Sequence, residues 1–190
     1  MESMRHICQT DRLLLREFTM DDLDRLTTMH LDPEVTRFIG LRTPEQTRKS
    51  LCEWIAAYRS LGFAKWAVTL PETGELIGRC GITFEEFGGV SEPELGWTFA
   101  RAHWGHGYAT EAATGAMKHA FEDLRFRRIV SLIDPENFAS ERVAVRIGMT
   151  FERQVQWKDK LTNLFAKSTN AVPAAEGISM NSRNDTALTR

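Results

Sequence analysis

Residues 104–112 read WGHGYATEA, and this segment stands between a strand pattern and a helix pattern. Gly105 and Gly107 carry no side chains, so an anion can approach the main chain where the N–H groups at the start of a helix are free. The segment contains no Lys or Arg. Main-chain amides and the helix dipole, helped by His106, would therefore have to hold a bound phosphate.

The residues after this segment predict a helix that ends near Asp123. Its apolar stripe consists of Ala109, Ala113, Met117, Ala120 and Leu124. The small residues on this stripe allow the helix to lie close to a sheet. Further along, the sequence predicts a strand over 128–134, a helix over 137–147 that Gly148 closes, and a hairpin of 149–157 with 161–168.

The residues before the segment predict a first strand over 12–18 and two helices, over 21–31 and 43–61. Thr19 with Asp21 and Asp22 is a helix-start signal, and Pro44 suits the first turn of the second helix. Three strands follow, over 63–70, 75–84 and 92–100. The short links between these strands predict an antiparallel meander.

Together these elements predict a mixed α/β fold in which helices flank a mostly antiparallel sheet. We expect a single domain over 1–167. Residues 168–190 are rich in Ser, Thr, Asn and Ala and lack apolar periodicity, so we expect a flexible C-terminal tail.

The composition of the 190 residues excludes several classes of protein. A net charge of -2 gives no general reason to bind nucleic acid. No apolar run approaches the roughly 20 residues of a membrane span, and the N-terminus lacks a signal-type stretch, so we expect a cytoplasmic protein that does not bind a membrane. Cys8, Cys52 and Cys80 are scattered, which predicts reduced structural thiols and no metal site.

The glycine pair alone leaves other interpretations open. Two glycines before a helix often make only a tight turn. A dinucleotide site also has Gly-x-Gly before a helix, and Asp134 ends the following strand at nearly the right distance. The strand over 92–100 is, however, too polar for a central parallel strand, and it follows an antiparallel meander.

Four motifs occur in order: Thr10 to Arg16 (TDRLLLR), Glu94 to Trp97 (ELGW), WGHGYATEA, and Asn137-x-x-Ser140 followed by Ile147-Gly148-Met149. Together they resemble the branch of the GNAT superfamily of N-acetyltransferases that contains the ribosomal-protein N-terminal (Rim-type) acetyltransferases. The resemblance covers approximately Thr10 to Lys167. It implies the GNAT fold, with its central sheet splayed at the cofactor site.

The resemblance also implies acetyl-CoA as co-substrate, without a metal. The family's Q/R-x-x-G-x-G/A signature falls on Trp104-x-x-Gly107-x-Ala109, with Trp in place of Gln or Arg. The main chain of Thr98 and Phe99 would contact the pantetheine. The remaining implied cofactor residues are Gly105, His106, Gly107, Tyr108, Ala109, Thr110 and Asn137.

Amine acetylation needs a neutral nucleophile, so a general base assists it. Glu94 is the candidate base, because it lies on the strand that leads to the cofactor segment and matches an acidic position used in several GNAT enzymes. Alternatively, Glu94 pairs with an Arg or orders the turn at Pro93. A backbone N–H near Thr98 or Phe99 would stabilise the oxyanion of the tetrahedral intermediate.

The leaving thiolate of CoA needs a proton, which a Tyr seven residues after the motif Asn supplies in many relatives. Here that position is Ala144. Ser140 is the candidate replacement, although Asn137 and Ser140 also fit a simple helix cap. Arg142 and Arg146 fit either the 3′-phosphate of CoA or solvent-facing charge, and we favour the latter.

For the acceptor side of the site, the sequence offers only acidic and aromatic residues as candidates. Acidic residues in predicted loops there could attract a cationic amine, although each also fits solvated surface charge; they are Asp32, Glu34, Glu85, Glu86 and Glu92. Trp54, Trp66 and Trp97 suit the core or a groove wall.

The sequence therefore predicts acetyl transfer from acetyl-CoA to a primary amine, either a peptide N-terminus or a small molecule. The alternatives are a noncatalytic acyl-CoA-binding sensor and a dinucleotide-binding domain. A homodimer is a further expectation.

Overall fold

The computed structural model describes residues 5–169. The strands in this range are β1 (His6–Gln9), β2 (Leu14–Arg16), β3 (Lys65–Thr69), β4 (Leu76–Phe87), β5 (Val90–Phe99), β6 (Arg128–Ile133), β7 (Thr150–Trp157) and β8 (Lys160–Ser168). The α-helices are α1 (Leu23–Leu31), α2 (Pro33–Thr36), α3 (Pro44–Ser60), α4 (Tyr108–Glu122) and α5 (Phe138–Arg146), with 3-10 turns at Met20–Asp22 and Arg101–His103.

The strands form one sheet in the order β1-β2-β3-β4-β5-β6-β8-β7. Neighbouring strands are antiparallel except β5 and β6, which are parallel. β4 and β5 are paired along their whole length, whereas β5 and β6 share one registered pair, Glu94↔Val130. The predicted mixed fold, with a mostly antiparallel and splayed sheet, is confirmed.

Helices cover both faces of the sheet. Trp66 of β3 faces α4, because its ring centroid lies 5.4 Å from that of His119. The side of α4 that faces the sheet permits the close packing expected from the sequence, because its residues are small and fully buried. They are Ala112, Ala113, Ala116 and Ala120. α1 and α3 cover the opposite face, where Arg79 of β4 lies 5.5 Å from the ring centroid of Trp54.

A buried ion pair joins β2 to the turn before α1. Two Arg16 nitrogens lie 2.8 Å and 2.7 Å from the two carboxylate oxygens of Asp22. Asp22 also accepts a hydrogen bond from the N–H of Thr19 over 2.9 Å. The predicted helix start at Thr19 is thus confirmed as a capping box.

The β4–β5 hairpin is longer than the sequence predicted. Gly88 and Gly89 adopt φ angles of 57° and 78°, so they form a two-residue turn that lets the strands continue to Phe87 and from Val90. Glu85, Glu86 and Glu92 consequently lie on strands, and the prediction that they occupy loops was wrong.

Other boundaries also differ from the predicted ones. The strand predicted over 12–18 is limited to Leu14–Arg16, and β1 and α2 were not predicted, because four residues are too few to show a period. At the C-terminus, β8 includes Ser168, and the N–H of Thr169 donates to the Arg127 carbonyl over 2.9 Å. The rest of the predicted tail, 170–190, lies outside the described residues.

His30 of α1 is fully buried on the α3 side of the sheet. Its Nδ1 lies 3.1 Å from Thr47 Oγ1, and its Nε2 has no partner among the described residues. Burial, with the positive charges of Arg79 and Arg42, lowers the pKa of His30 to about 3. His30 is therefore neutral at physiological pH.

This buried histidine predicts a component of acid lability. In the unfolded chain a histidine titrates near pH 6.5, so between pH ~6.5 and about 3 the unfolded state binds one proton more than the folded state. The free energy of unfolding should then fall by up to ~1.4 kcal/mol per pH unit as pH decreases through this window. His30→Gln should reduce that slope in urea titrations between pH 7 and pH 4.5. His6→Gln, at an exposed position, is the control, and equal slopes for all three proteins would contradict the assignment.

Candidate active site

The site is a wedge between β5 and β6, and polar contacts close one end of it. Arg128 Nε donates to Glu92 Oε2 over 2.6 Å near the hairpin. Ser131 Oγ then donates to the Leu95 carbonyl, also over 2.6 Å. Beyond Leu95 no registered pair joins the two strands within residues 5–169, so the wedge opens towards Trp97 and Phe99.

A cavity of about 460 Å³ occupies the open end of the wedge. Its walls come from four segments, namely the end of β5, the loop before α4 with the first turn of that helix, one side of α5 with its N-cap, and residues 34–39 around α2. Chain segments that are far apart in sequence thus meet around one space.

The direction of the β5 main chain determines which groups face this cavity. The N–H of Ala100 donates to the carbonyl of Ile77 on β4. The carbonyl of Leu95, in contrast, points to β6, where it accepts from Ser131. Because strand residues alternate, the main-chain groups of Thr98 point to β4 and those of Trp97 and Phe99 point into the wedge. Thr98 and Trp97 both line the cavity, and Trp97 is the one of the two whose main chain faces the wedge.

Trp104 fixes the loop to the end of β5. Its Nε1 donates to the Phe99 carbonyl over 2.8 Å, while the side chain stays 46% exposed. The indole N–H of Trp104, at the signature position where Gln or Arg is usual, thus anchors the loop to the strand that borders the wedge.

The start of α4 has free donors. Gly107 is the N-cap residue, with a φ of 81°, and no side chain caps the helix. Gly105 adopts a φ of 80°, and a Cβ there would meet nothing within 4 Å. The N–H groups of the first turn, Tyr108 to Thr110, therefore remain available beside the cavity, where the helix dipole favours an anion.

A polar network behind this turn explains the Thr10–Arg16 motif. Glu111 accepts hydrogen bonds from Thr10 Oγ1 over 2.6 Å and from Arg12 Nε over 2.8 Å. Burial opposes ionisation of Glu111, but the bonds from Thr10 and Arg12 outweigh it, so the pKa of this carboxyl is lowered. The Arg12 guanidinium also covers the Tyr108 ring at 4.8 Å, which ties the turn before β2 to the start of α4.

Asn137 and Ser140 face the cavity from α5. Asn137 Oδ1 accepts a hydrogen bond from the Ser140 N–H over 3.1 Å, so the capping role considered for this pair is present. Ser140 Oγ makes no hydrogen bond to the described residues. Arg142 and Arg146 are exposed, and both also line the cavity. From the sequence, solvent-facing charge was favoured for this pair over contact with the 3′-phosphate of CoA.

Glu94 lies beside the wedge and is held by a lysine. Lys65 Nζ is 2.7 Å from Glu94 Oε2 and also donates to the Gly81 carbonyl over 2.9 Å. The side chains of Lys65 and Glu94 are 6% and 13% exposed. Gly81 and Gly96 provide the room, because a Cβ on Gly96 would lie 3.0 Å from both Lys65 Nζ and Glu94 Oε1.

Most predicted site residues meet in this cavity. Those that line it are Thr98, Phe99, Gly105, Gly107, Tyr108, Ala109, Thr110, Asn137 and Ser140. His106 and Glu94 do not line it: His106 stacks on Tyr108 at 5.5 Å, with its Nδ1 2.9 Å from the Trp104 carbonyl. The sequence missed His103 and residues 35–39, whose only signal was their position before a helix.

The acidic residues expected near the acceptor have diverse roles. Glu85 accepts from Trp157 Nε1 over 3.1 Å and lies 3.1 Å from Lys158 Nζ, so it joins β4 to the β7–β8 turn. Asp32 caps α2 through the N–H of Glu34. Glu34 lines the cavity.

No three His, Cys, Asp or Glu side chains within residues 5–169 are close enough to hold a metal ion. No helix in that range has the length and apolarity to cross a bilayer. The three cysteines are free thiols, and burial raises the pKa of Cys80 to about 12.

A family model described as "Acetyltransferase (GNAT) domain" matches residues 12–150, which include the wedge and the start of α4. The chain belongs to the GNAT acetyltransferase family. This membership implies acetyl transfer from acetyl-CoA to an amine. It also excludes the dinucleotide-binding alternative, in agreement with a sheet that, within residues 5–169, has one parallel pair of strands.

Individual proteins resemble this GNAT chain over most of its length. The Bacillus subtilis (strain 168) protein YkkB is 37% identical over 170 residues, which cover 85% of this chain and 95% of YkkB. The crystal structure of the acetyltransferase from Agrobacterium tumefaciens str. C58 has a TM-score of 0.78 and 31% identity, and the match covers 88% of this chain and 96% of that one.

A Rim-type protein shares the fold. RimL, a ribosomal L7/L12 alpha-N-protein acetyltransferase in complex with coenzyme A, has a TM-score of 0.72 at 20% identity, over 86% of this chain and 98% of its own. The resemblance to the Rim-type branch is thus confirmed at the level of fold.

The glycines of the loop provide a test of this site. Gly107→Ala places a Cβ where the φ is 81° and restricts the approach of a phosphate to the main chain. We expect the Kd for acetyl-CoA, measured by calorimetry, to rise at least about tenfold, which corresponds to roughly 1.4 kcal/mol.

Gly62→Ala is the matched control, because Gly62 also has a positive φ of 82° and no neighbours within 4 Å of a Cβ. It carries the same backbone strain away from the cavity. Equal effects of both substitutions on the Kd would show that strain alone, and not the phosphate contact, is responsible.

Proposed function

We propose that this enzyme transfers the acetyl group of acetyl-CoA to a primary amine by direct attack of the amine on the thioester. The observation that carries the proposal is the wedge between β5 and β6, because it brings the free N–H groups of α4, the main chain of Trp97 and the polar side of α5 to one cavity. When bound, acetyl-CoA supplies an acyl thioester, an activated form of the acetyl group.

The chain would hold acetyl-CoA mainly through its backbone. The first-turn N–H groups from Tyr108 to Thr110 suit the pyrophosphate, and the main-chain groups of Trp97 with the N–H of Phe99 suit the pantetheine amides. Asn137 adds a side-chain amide. Arg142 and Arg146 place two positive charges at the α5 wall, where they can meet a phosphate.

Glu94 serves as general base in this proposal. Deprotonating an α-amino group at pH 7 costs about 1 kcal/mol, and deprotonating a lysine costs about 4 to 5 kcal/mol. Lys65 occupies Glu94 Oε2, while Oε1 has no hydrogen-bond partner among the described residues and is the oxygen that can accept the proton, directly or through water. The position beside the wedge rather than in its wall favours transfer through water.

Two further groups act on the reacting atoms. The N–H of Trp97 points into the wedge and would stabilise the oxyanion, because main-chain donors fixed in a strand need no reorganisation. Ser140 Oγ, with no hydrogen bond to the described residues, would donate to the departing thiolate.

The acceptor is either a peptide N-terminus or a small-molecule amine. Localisation in the cytoplasm and a homodimeric state also remain predictions. A screen of peptide N-termini and small amines that measures CoA release separates catalysis from sensing. Release with at least one amine class supports the transferase, whereas tight acetyl-CoA binding without release on any amine supports the noncatalytic sensor.

Glu94→Gln tests the base. The rate should fall about 100- to 10,000-fold below neutral pH, where the amine is protonated, and the loss should shrink as pH approaches the amine's own pKa. The measurement is the pH profile of kcat/KM. Glu86→Gln, at an exposed position on β4, is the control. A pH profile with unchanged shape would remove Glu94 from this role.

A further inference from the structure

Three charged residues lie in successive rows on the face of the sheet that α1 and α3 cover. Arg79 of β4 is paired with Thr98 of β5, and Glu94 of β5 is paired with Thr83 of β4. Lys65 of β3 is paired with Gly81, which is itself paired with Gly96. Paired residues point to the same face, so these side chains share one surface. Lys65 and Glu94 satisfy each other.

Arg79 has no such partner. The residue is 7% exposed, and no carboxylate, carbonyl or hydroxyl of residues 5–169 accepts a hydrogen bond from its guanidinium. Its ring contact is with Trp54 at 5.5 Å, which leaves its hydrogen-bonding edge free. Burial lowers the pKa of Arg79 only to about 10, so it carries a charge at neutral pH.

The surroundings of Arg79 have too many positive charges. Arg42 repels it, and Arg42 donates to Ser50 Oγ over 2.7 Å rather than to an acid. His30 is neutral, and Glu94, whose charge acts favourably on Arg79, is held by Lys65 over 2.7 Å. A buried charge without a direct ion pair or hydrogen bond is unfavourable, so this arrangement suits a further anion that binds the guanidinium directly.

Arg79 lies beside the cavity, behind its wall. Its sheet partner Thr98 lines the cavity, and Arg42 follows three residues after Ile39, another lining residue. This part of the wall consists of residues of β5 and of segment 34–39, which differ from the residues of the α4 turn proposed for the pyrophosphate. A ligand group there would belong to the acceptor.

We propose that Arg79 binds a carboxylate of the acceptor, so that the preferred substrate is an amine that also carries a carboxylate. The guanidinium fork matches a carboxylate through parallel hydrogen bonds. Glu94 lies four residues from Thr98 along β5, about 13 Å, and long side chains shorten the gap. An extended acceptor could thus place its amine near Glu94 and its carboxylate at Arg79. This inference rests on the acetyl transfer proposed above.

Matched acceptors test the inference. One pair consists of tetrapeptides that differ only by Asp or Asn at the second position, and the other consists of an ω-amino acid and its primary amide. We expect kcat/KM to be about 10- to 100-fold higher for the carboxylate member of at least one pair. The pair that responds shows whether the acceptor is a peptide or a small molecule.

Arg79→Gln should abolish this preference by lowering kcat/KM for the carboxylate member alone, with the KM for acetyl-CoA unchanged. Arg79→Lys should retain part of it, since the charge remains and the fork is lost. Arg48→Gln on the exposed side of α3 is the control and should leave the preference intact. If Arg79→Gln does not fold, the wild-type preference and the Arg79→Lys variant still decide the question.

The outcomes separate the two proposals. Equal kcat/KM within both pairs, with CoA released, would overturn the carboxylate site and leave acetyl transfer standing. A wild-type preference that Arg79→Gln or Arg79→Lys leaves unchanged would also overturn the role of Arg79. Binding of acetyl-CoA without release of CoA on any amine would overturn both.

Discussion

The hydrogen bond from Ser131 Oγ to the Leu95 carbonyl lies where β5 and β6 begin to diverge. Ser131 is buried, so this bond is shielded from water and holds the strands together just beyond their single registered pair. Arg128 closes the hairpin side through Glu92, and Phe87 packs there against Val130 and Leu164. One end of the junction is thus tightly closed, and this allows the other end to open.

At the open end of the wedge, main-chain N–H and C=O groups of β5 are available to a ligand, and they border a cavity instead of being buried without a partner. A normal sheet would pair the N–H and C=O groups of Trp97 and Phe99 with a neighbouring strand. Here the Phe99 carbonyl accepts from Trp104, and the remaining groups border a cavity. The same divergence leaves room for the start of α4, so the groups proposed to bind the pantetheine and the pyrophosphate arise from a single irregularity of the sheet.

The two faces of the sheet carry different chemistry. On the α4 side, small residues bring the helix close, and the positive charge of Arg12 is neutralised by Glu111. Neutral amides then remain as the anion site. On the α1 and α3 side, polar groups are buried among glycines and aromatic rings, and Arg79 has no partner. A buried polar group without a hydrogen-bond partner is unusual in a protein interior, and here it lies beside the cavity, as expected near functional residues.

The sequence by itself determined the helices and strands with clear periods, the antiparallel meander and the loop at 104–112. These depend on local patterns: apolar spacing along α3 and α4, caps at Thr19 and Thr43, and glycines before a helix. Most of the site residues that it selected also line the cavity, because four motifs appear in a fixed order. It did not determine that β5 and β6 separate after one pair, since pairing between distant strands leaves no local signal.

Only the tertiary structure decided which groups face one another. The pairing of Lys65 with Glu94, 29 positions apart, requires Gly81 of β4 and Gly96 of β5 to be paired next to the two side chains. The lack of a hydrogen-bond partner for Arg79 within the described residues depends in part on Lys65 of β3 holding Glu94 of β5. The direction of the Trp97 main chain follows from the register of β4 with β5. Such features depend on long-range register and packing, which a one-dimensional pattern does not encode.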